Sequence, residues 1–119
     1  MNTQTGKKHM VLVLTEPTEG QSEEFDRYYE HDHIDEVLAT TGWVSGQRFK
    51  LADEVGTACP LPYLALYEAW AEDSKSVIKA MNDTRDQRTQ SKALNKRTAG
   101  VWVFAETGPV HELEKSTRK

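Results

Sequence analysis

The sequence predicts one α+β domain, in which strands and helices follow the order β-α-β-β-α-β and the strands form a four-stranded antiparallel sheet. Three observations lead to this expectation: four short apolar segments rich in β-branched and aromatic residues, two longer segments that open with helix-start signals, and a turn-rich connection between the second and third apolar segments. A chain of 119 residues has the length of a single domain. We therefore treat 1–119 as one unit, with 1–7 and 111–119 as loose tails.

The first strand and the first helix each have a clear local signal. Residues 9–14, HMVLVL, form a short and unbroken apolar run, which is typical of a strand buried on both faces. Ser22 precedes two glutamates, a cap followed by acids in the first helical turn, and neither Gly nor Pro follows before Gly42. These signals predict a strand and then a helix that ends at Gly42.

The second half of the chain is predicted to contain a hairpin and a second helix. Residues 43–52, WVSGQRFKLA, and residues 63–70, YLALYEAW, indicate two strands joined by a turn-rich segment. Asp73 can cap a helix that runs from about Lys75 toward Leu94. The later part of that helix, NDTRDQRTQSK, is almost entirely polar, so a loop is the alternative there.

The fourth strand, at 99–106, completes the split β-α-β arrangement of the ferredoxin-like fold. Two helices can cover only one face of such a sheet. The first and fourth strands are nevertheless apolar on both faces, because valines alternate there with Leu12, Leu14, Trp102 and Phe104. In so short a chain a second copy of the sheet is the simplest cover, and we therefore expect a homodimer.

Composition and charge argue against several classes of partner. The net charge of −4 disfavours nucleic acid and a basic membrane-binding surface. The apolar run near the N-terminus is shorter than a signal peptide or a membrane span requires, so we expect no membrane association. Cys59 is the only cysteine, which argues against a disulfide scaffold and a cysteine-based zinc site. The cytoplasm is the expected location.

The stretch YYEHDHIDEVL, residues 28–38, places two histidines among four carboxylates. On a regular helix, positions four apart lie nearly in line, so His33 belongs to an inward row with Phe25, Tyr29 and Val37. His31 is turned about 200° away from that row, toward an acidic and hydrated face. His33 is therefore the candidate for an interior role, although a lone histidine on an apolar stripe can also be a packing residue.

A metal site is a weak interpretation of the same stretch. His31 and Asp35 have a helical ligand spacing, but no third candidate ligand accompanies them. The sequence also lacks the glycine-rich fingerprints of nucleotide-binding loops. We therefore expect no metal and no nucleotide cofactor.

The segments EFDRYYEHDHIDEVLATTGWVSGQRFKLA, YLALYEAW and VWVFAE together resemble the EthD-like branch of the dimeric α+β barrel superfamily. The resemblance covers most of 10–106 and is more specific for the fold than for the reaction. Asp35 and Thr41 stand where the family pattern has proline. The matching positions are the aromatic pair and histidine of the helix and the two ends of the second strand: Tyr28, Tyr29, His33, Gly42, Trp43, Arg48 and Phe49.

The resemblance implies a mostly apolar cavity in each subunit and chemistry without metal, flavin or nicotinamide on an aromatic, polyketide-like or lactone substrate. Similar enzymes isomerise, cyclise, eliminate or oxidise such compounds. His33 would move a proton at a carbon next to a carbonyl. The donors to the developing enolate would be Tyr29, Tyr67 and Arg48. The residues that contact the substrate would be Trp43, Glu68, Trp102 and Phe104.

Other interpretations remain open. A non-catalytic binding or accessory protein would use the same cavity, with His33 as a hydrogen-bonding anchor or a packing residue. An oxygen-using or haem-binding member of the superfamily would need space beside one ring nitrogen of that histidine. The aromatic residues can equally be core packing, and Arg48 can equally form an ion pair at a surface or dimer contact, for instance with Glu68.

Overall fold

The computed structural model of the protein describes residues 5–114. It confirms the predicted α+β class and the order of the strands and helices along the chain. Of the expected tails, 1–4 and 115–119 lie outside the described residues, and Lys7 already belongs to the first strand. The elements are β1 (Lys7–Thr15), α1 (Ser22–Tyr28), a π-helical turn (Tyr29–His33), α2 (Ile34–Thr41), β2 (Ser45–Lys50), β3 (Tyr63–Ala71), α3 (Ser74–Asp83), a 3₁₀ turn (Arg85–Gln87) and β4 (Gly100–Ala105).

The strands form one antiparallel sheet in the order β2-β3-β1-β4. The central pair, β1 and β3, is matched over nine positions, from Lys7 opposite Ala71 to Thr15 opposite Tyr63. The first helical segment connects β1 to β2 with β3 between them, and α3 connects β3 to β4 with β1 between them. This arrangement of helices and strands is compatible with a ferredoxin-like fold.

The two faces of the sheet have different environments. On β1, His9, Val11 and Thr15 are buried beneath the helices, and the alternate residues point to the other face. The helices leave that second face uncovered among residues 5–114, and we call it the open face. Trp102 is 43% exposed and Phe104 is 56% exposed there. The open face carries Met10, Leu12, Leu14, Phe49, Leu64, Leu66, Trp102 and Phe104.

The first helical segment ends as predicted, but its cap and its interior differ from the prediction. Gln21 holds the N-cap position without a side-chain cap bond, and Ser22, the predicted cap, is the first helical residue. The segment begins at Ser22 and stops before Gly42, whose φ of 80° is the left-handed conformation that glycine adopts easily. Between them, the N–H of Ile34 donates to the carbonyl of Tyr29, five residues back, so one turn is π-helical. The extra residue in this turn changes the side-chain register, and His33 lies beside Tyr28 as well as Tyr29.

The second helix is shorter than the longest extent predicted for it, and the loop alternative is confirmed for the later, polar part. Asp73 caps the helix as expected, because its carboxylate accepts from the N–H of Ser76 at 2.9 Å. The helix then ends at Asp83 instead of continuing toward Leu94, and apart from the 3₁₀ turn residues 84–99 form an irregular connection. The polar sequence of this connection offers no apolar stripe that could hold a longer helix against the sheet.

Candidate functional site

A cavity of about 230 Å³ lies between the sheet, the first helical segment and the connection at 84–99. This is about the volume of eight molecules of liquid water, which is enough for one substituted ring. Aromatic and aliphatic side chains form much of its wall, and all of its positively charged side chains come from the connection. The cavity therefore has the composition of a small-molecule site.

Four of the residues predicted from the sequence line this one cavity. Tyr29 and His33 come from the π-helical turn, Trp43 follows α2, and Tyr67 comes from the centre of β3. The rings of Trp43 and Tyr67 are in contact, with centroids 5.4 Å apart. The fold therefore brings together groups that are as many as 38 positions apart in the sequence, as expected for a site between the sheet and a helix.

Arg48 does not line this cavity. Its guanidinium donates to Asp26 at 2.8 Å and to Glu30 at 3.0 Å, and it lies 5.3 Å from the centre of the Tyr29 ring. The suggested pairing with Glu68 is wrong, because the two side chains lie on opposite faces of the sheet. The placement of Arg48 thus corresponds to an ion pair that fastens α1 and the π-helical turn to β2.

The other three predicted substrate contacts lie on the open face. Met10 is the pairing partner of both Glu68 and Phe104, so these two residues share its face, and Trp102 is two positions from Phe104 on β4. The carboxylate of Glu68 accepts from the indole N–H of Trp70 at 2.7 Å. Glu68, Trp102 and Phe104 are therefore separated from the cavity by the sheet itself.

The geometry around His33 determines which ring nitrogen carries the proton. Its Nδ1 lies 3.0 Å from the hydroxyl oxygen of Tyr28, and that hydroxyl donates to the backbone carbonyl of Thr89 at 2.7 Å. The single hydroxyl proton of Tyr28 is committed to Thr89, because a carbonyl can only accept. His33 must therefore donate from Nδ1, and in the neutral ring Nε2 has a free lone pair.

Burial sets the charge states of the cavity's titratable groups. Desolvation, reinforced by the nearby cations Arg88 and Lys96 and opposed by Glu36, lowers the pKa of His33 to about 4. Burial also raises the pKa of Tyr67 and Tyr29 above the usual phenol value. At neutral pH the cavity therefore presents a neutral imidazole and protonated phenols, which can donate hydrogen bonds.

The connection at 84–99 contributes residues that sequence reasoning missed. Arg88 is only 8% exposed and donates to the hydroxyls of Thr40 and Thr84 and to the carbonyl of Met81. Glu36 accepts from both the N–H and the hydroxyl of Thr89, at 2.7 and 2.8 Å. The segment has no periodic pattern, so only the folded structure could place it over the cavity.

The fold and the cavity together give an α+β protein with a histidine-lined cavity between the sheet and the first helical segment. Comparison of the chain with family models, with curated proteins and with solved structures gave no match. Within 5–114, no group of three or more histidine, cysteine or acidic side chains has a geometry that could hold a metal ion. Every helix in the same range is too short or too polar to cross a bilayer.

The lowered pKa of His33 predicts a stability loss in acid. The pKa is about 4 in the folded protein and 6.5 ordinarily, so between these values the unfolded chain binds more protons. The free energy of unfolding should therefore fall as the pH drops from about 6.5 toward 4, by at most about 3 kcal/mol from this group.

Urea unfolding of the native protein and His33→Gln across this pH range would measure the effect. The difference between the two proteins isolates the contribution of His33 from those of groups present in both. Equal slopes in the two proteins would contradict the assigned shift.

Proposed function

We propose that the protein is a homodimeric enzyme of the dimeric α+β barrel type, similar to EthD-like proteins, that moves a proton at a carbon next to a carbonyl. Its substrate would be a small aromatic, polyketide-like or lactone compound, and the reaction an isomerisation, cyclisation or elimination without an added cofactor. The observation that carries this proposal is His33, a neutral imidazole that lines a small cavity and whose Nε2 has a free lone pair.

In the proposed reaction His33 acts first as a base. Its Nε2 takes a proton from the substrate carbon, the C–H electron pair moves into the adjacent carbonyl, and an enolate forms. Tyr29 or Tyr67 donates a hydrogen bond to the enolate oxygen, because burial keeps both phenols protonated. The imidazolium then returns its proton to another carbon, or to a leaving group, and the neutral base is restored.

The orientation of the base follows from its neighbours. The His33 ring stacks on Tyr28 and meets the edge of Tyr29, with both centroids 4.9 Å away. The bond from Nδ1 to Tyr28 holds the tautomer and supports the imidazolium while it exists. Tyr28 is thus a positioning residue, and His33 is the proposed catalytic residue.

The open face supports the homodimer within this proposal. It combines apolar side chains from all four strands, and contiguous exposed apolar patches of this kind mark interaction sites. A second copy of the sheet would present the same side chains in return. Two such faces together would leave each cavity on the outer, helical side of its own sheet.

A non-catalytic binding protein is the second candidate, and one observation favours it. The His33 ring is held by two aromatic rings and one hydrogen bond, as expected of a well-packed histidine that only anchors a ligand. In that case the cavity would take the same ligands and leave them unchanged.

Hydrogen–deuterium exchange in the ligand separates the two candidates. Carbonyl-bearing aromatic and lactone compounds are first screened for stabilisation of the protein against heat, since any ligand of the native state raises its stability. Each stabilising compound is then incubated with the protein in D₂O, and its NMR spectrum is followed. Protein-dependent loss of the signal next to the carbonyl supports the enzyme. Binding without exchange supports the accessory protein.

A further inference from the structure

The cavity wall contributed by the connection at 84–99 is cationic. Arg85, Arg88 and Lys96 all line the cavity, whereas no aspartate or glutamate of residues 5–114 does so. The chain as a whole is acidic, with a net charge of −4. The positive charge at this wall is therefore a local feature, opposite in sign to the protein's overall charge.

None of these three cations forms an ion pair within the described part of the chain. Arg48 differs from these three residues, because its guanidinium forms ion pairs with two carboxylates. The three hydrogen bonds of Arg88 go to uncharged oxygens, although the side chain is almost completely buried. The carboxylate of Glu36 acts on Arg88 only from a distance, and both of its oxygens bind Thr89.

A buried charge without an opposite charge is energetically unfavourable. Burial, together with repulsion from Arg85, lowers the pKa of Arg88, which reflects that cost. An anion in the cavity would remove it, since a guanidinium binds a carboxylate with strong, charge-assisted hydrogen bonds. Three of the five guanidinium N–H groups are used by the bonds described, so donors remain for a ligand.

We propose that the cavity binds a small carboxylic acid, with its carboxylate held by Arg88 and with Arg85 and Lys96 adding positive charge at the same wall. This inference rests on the proposed function in one respect, which is that the same cavity holds the substrate. It narrows that substrate to a ring-sized compound that carries both a carbonyl and a carboxylate.

The bound carboxylate would also strengthen the base. Arg88 and Lys96 both lower the pKa of His33 in the empty cavity. A carboxylate beside them offsets their charge and lets the pKa of the imidazole rise toward its ordinary value, where it is a better proton acceptor. A substrate with a carboxylate would thus make His33 a stronger base toward the substrate's own carbon next to the carbonyl. An uncharged compound of the same shape would not have this effect.

Matched acids and amides test the inference by binding alone. Benzoate is compared with benzamide, and phenylacetate with phenylacetamide, by titration calorimetry and ligand-observed NMR. We expect at least one acid to bind about tenfold or more tightly than its amide, a difference of about 1.4 kcal/mol, and this preference should shrink with added salt.

Two double variants test whether the cationic wall of the cavity causes the preference for the acid. Arg85→Gln with Lys96→Gln removes two exposed cations of the cavity, and the acid's preference should fall to within about threefold of the amide. Lys92→Gln with Arg97→Gln removes the same charge from the same connection but outside the cavity, and should leave the preference nearly unchanged. These four positions are exposed, so both variants should fold, whereas Arg88 holds three hydrogen bonds and its replacement could alter the wall itself.

Equal affinity for acid and amide, failure of every acid to bind at millimolar concentration, or an equal response of the two double variants would overturn the inference. Different results would overturn the proposed function and the carboxylate site. Deuterium exchange into neutral ketones, with equal binding of acids and amides, would leave the enzyme and remove the carboxylate site. Selective acid binding without exchange into any carbonyl-bearing acid would leave the site and remove the enzyme.

Discussion

Replacing His33 by glutamine should slow deuterium exchange, or turnover of the true substrate, about 10²-fold or more. A positioned general base typically contributes 10² to 10⁴ in rate, and glutamine has no basic nitrogen to replace Nε2. The side chain keeps a comparable size, so the cavity should remain formed. The rate is measured by NMR at saturating ligand, with ligand affinity determined in parallel.

His31→Ala is the matched control for this experiment. His31 lies two residues away on the same helical segment, but it is exposed and does not line the cavity. Its replacement should change the rate less than twofold, in keeping with the small effects of most surface substitutions. If His33→Gln retained the full rate while folded, the histidine would be structural and another group would have to take the proton.

Charging the open face should convert the proposed dimer into a monomer. Trp102→Lys combined with Phe104→Lys places two cations where we expect the second sheet to pack. In a two-fold symmetric dimer each change occurs twice, and truncation of central aromatic residues alone often costs 2 kcal/mol or more. We therefore expect the dimer dissociation constant to rise by at least about 10³-fold.

Light scattering with sedimentation at micromolar concentration measures the assembly. Val55→Lys serves as the control, because this residue lies in the connection between β2 and β3 and is 99% exposed. The control should remain dimeric, and circular dichroism should show that all variants are folded. A monomeric native protein, or a double variant as dimeric as the native one, would remove the barrel architecture from the proposal.

Local signals in the sequence were sufficient for the kinds and order of the elements. Gly42 marks the end of the first helical segment because a left-handed residue is needed there, and Asp73 marks a cap because its carboxylate can reach an orphan N–H. The row of Phe25, Tyr29 and His33 placed the histidine inward correctly. Each of these features depends on contacts between residues that are close together in the sequence, so the local sequence is enough to predict it.

Features that depend on distant pairing could not be predicted in this way. Glu68 was predicted to contact the substrate, but the strand register places it opposite Met10 on the open face. Arg88 lies in a polar segment without periodicity, and only tertiary contacts with Thr40 and Met81 bring it over the cavity. The π-helical turn has no simple sequence signature either, so the contact between His33 and Tyr28 was not expected.

The single hydroxyl of Tyr28 joins the chemistry of the base to the position of the cavity wall. Its proton goes to Thr89, and this assignment forces the proton of the His33 ring onto Nδ1. If the wall moved outward and Thr89 withdrew, the hydroxyl would be free to donate to Nδ1 instead. The ring could then carry its proton on Nε2, and this nitrogen would be a hydrogen-bond donor rather than a base. The tautomer of His33 therefore depends on the position of the Thr89 carbonyl.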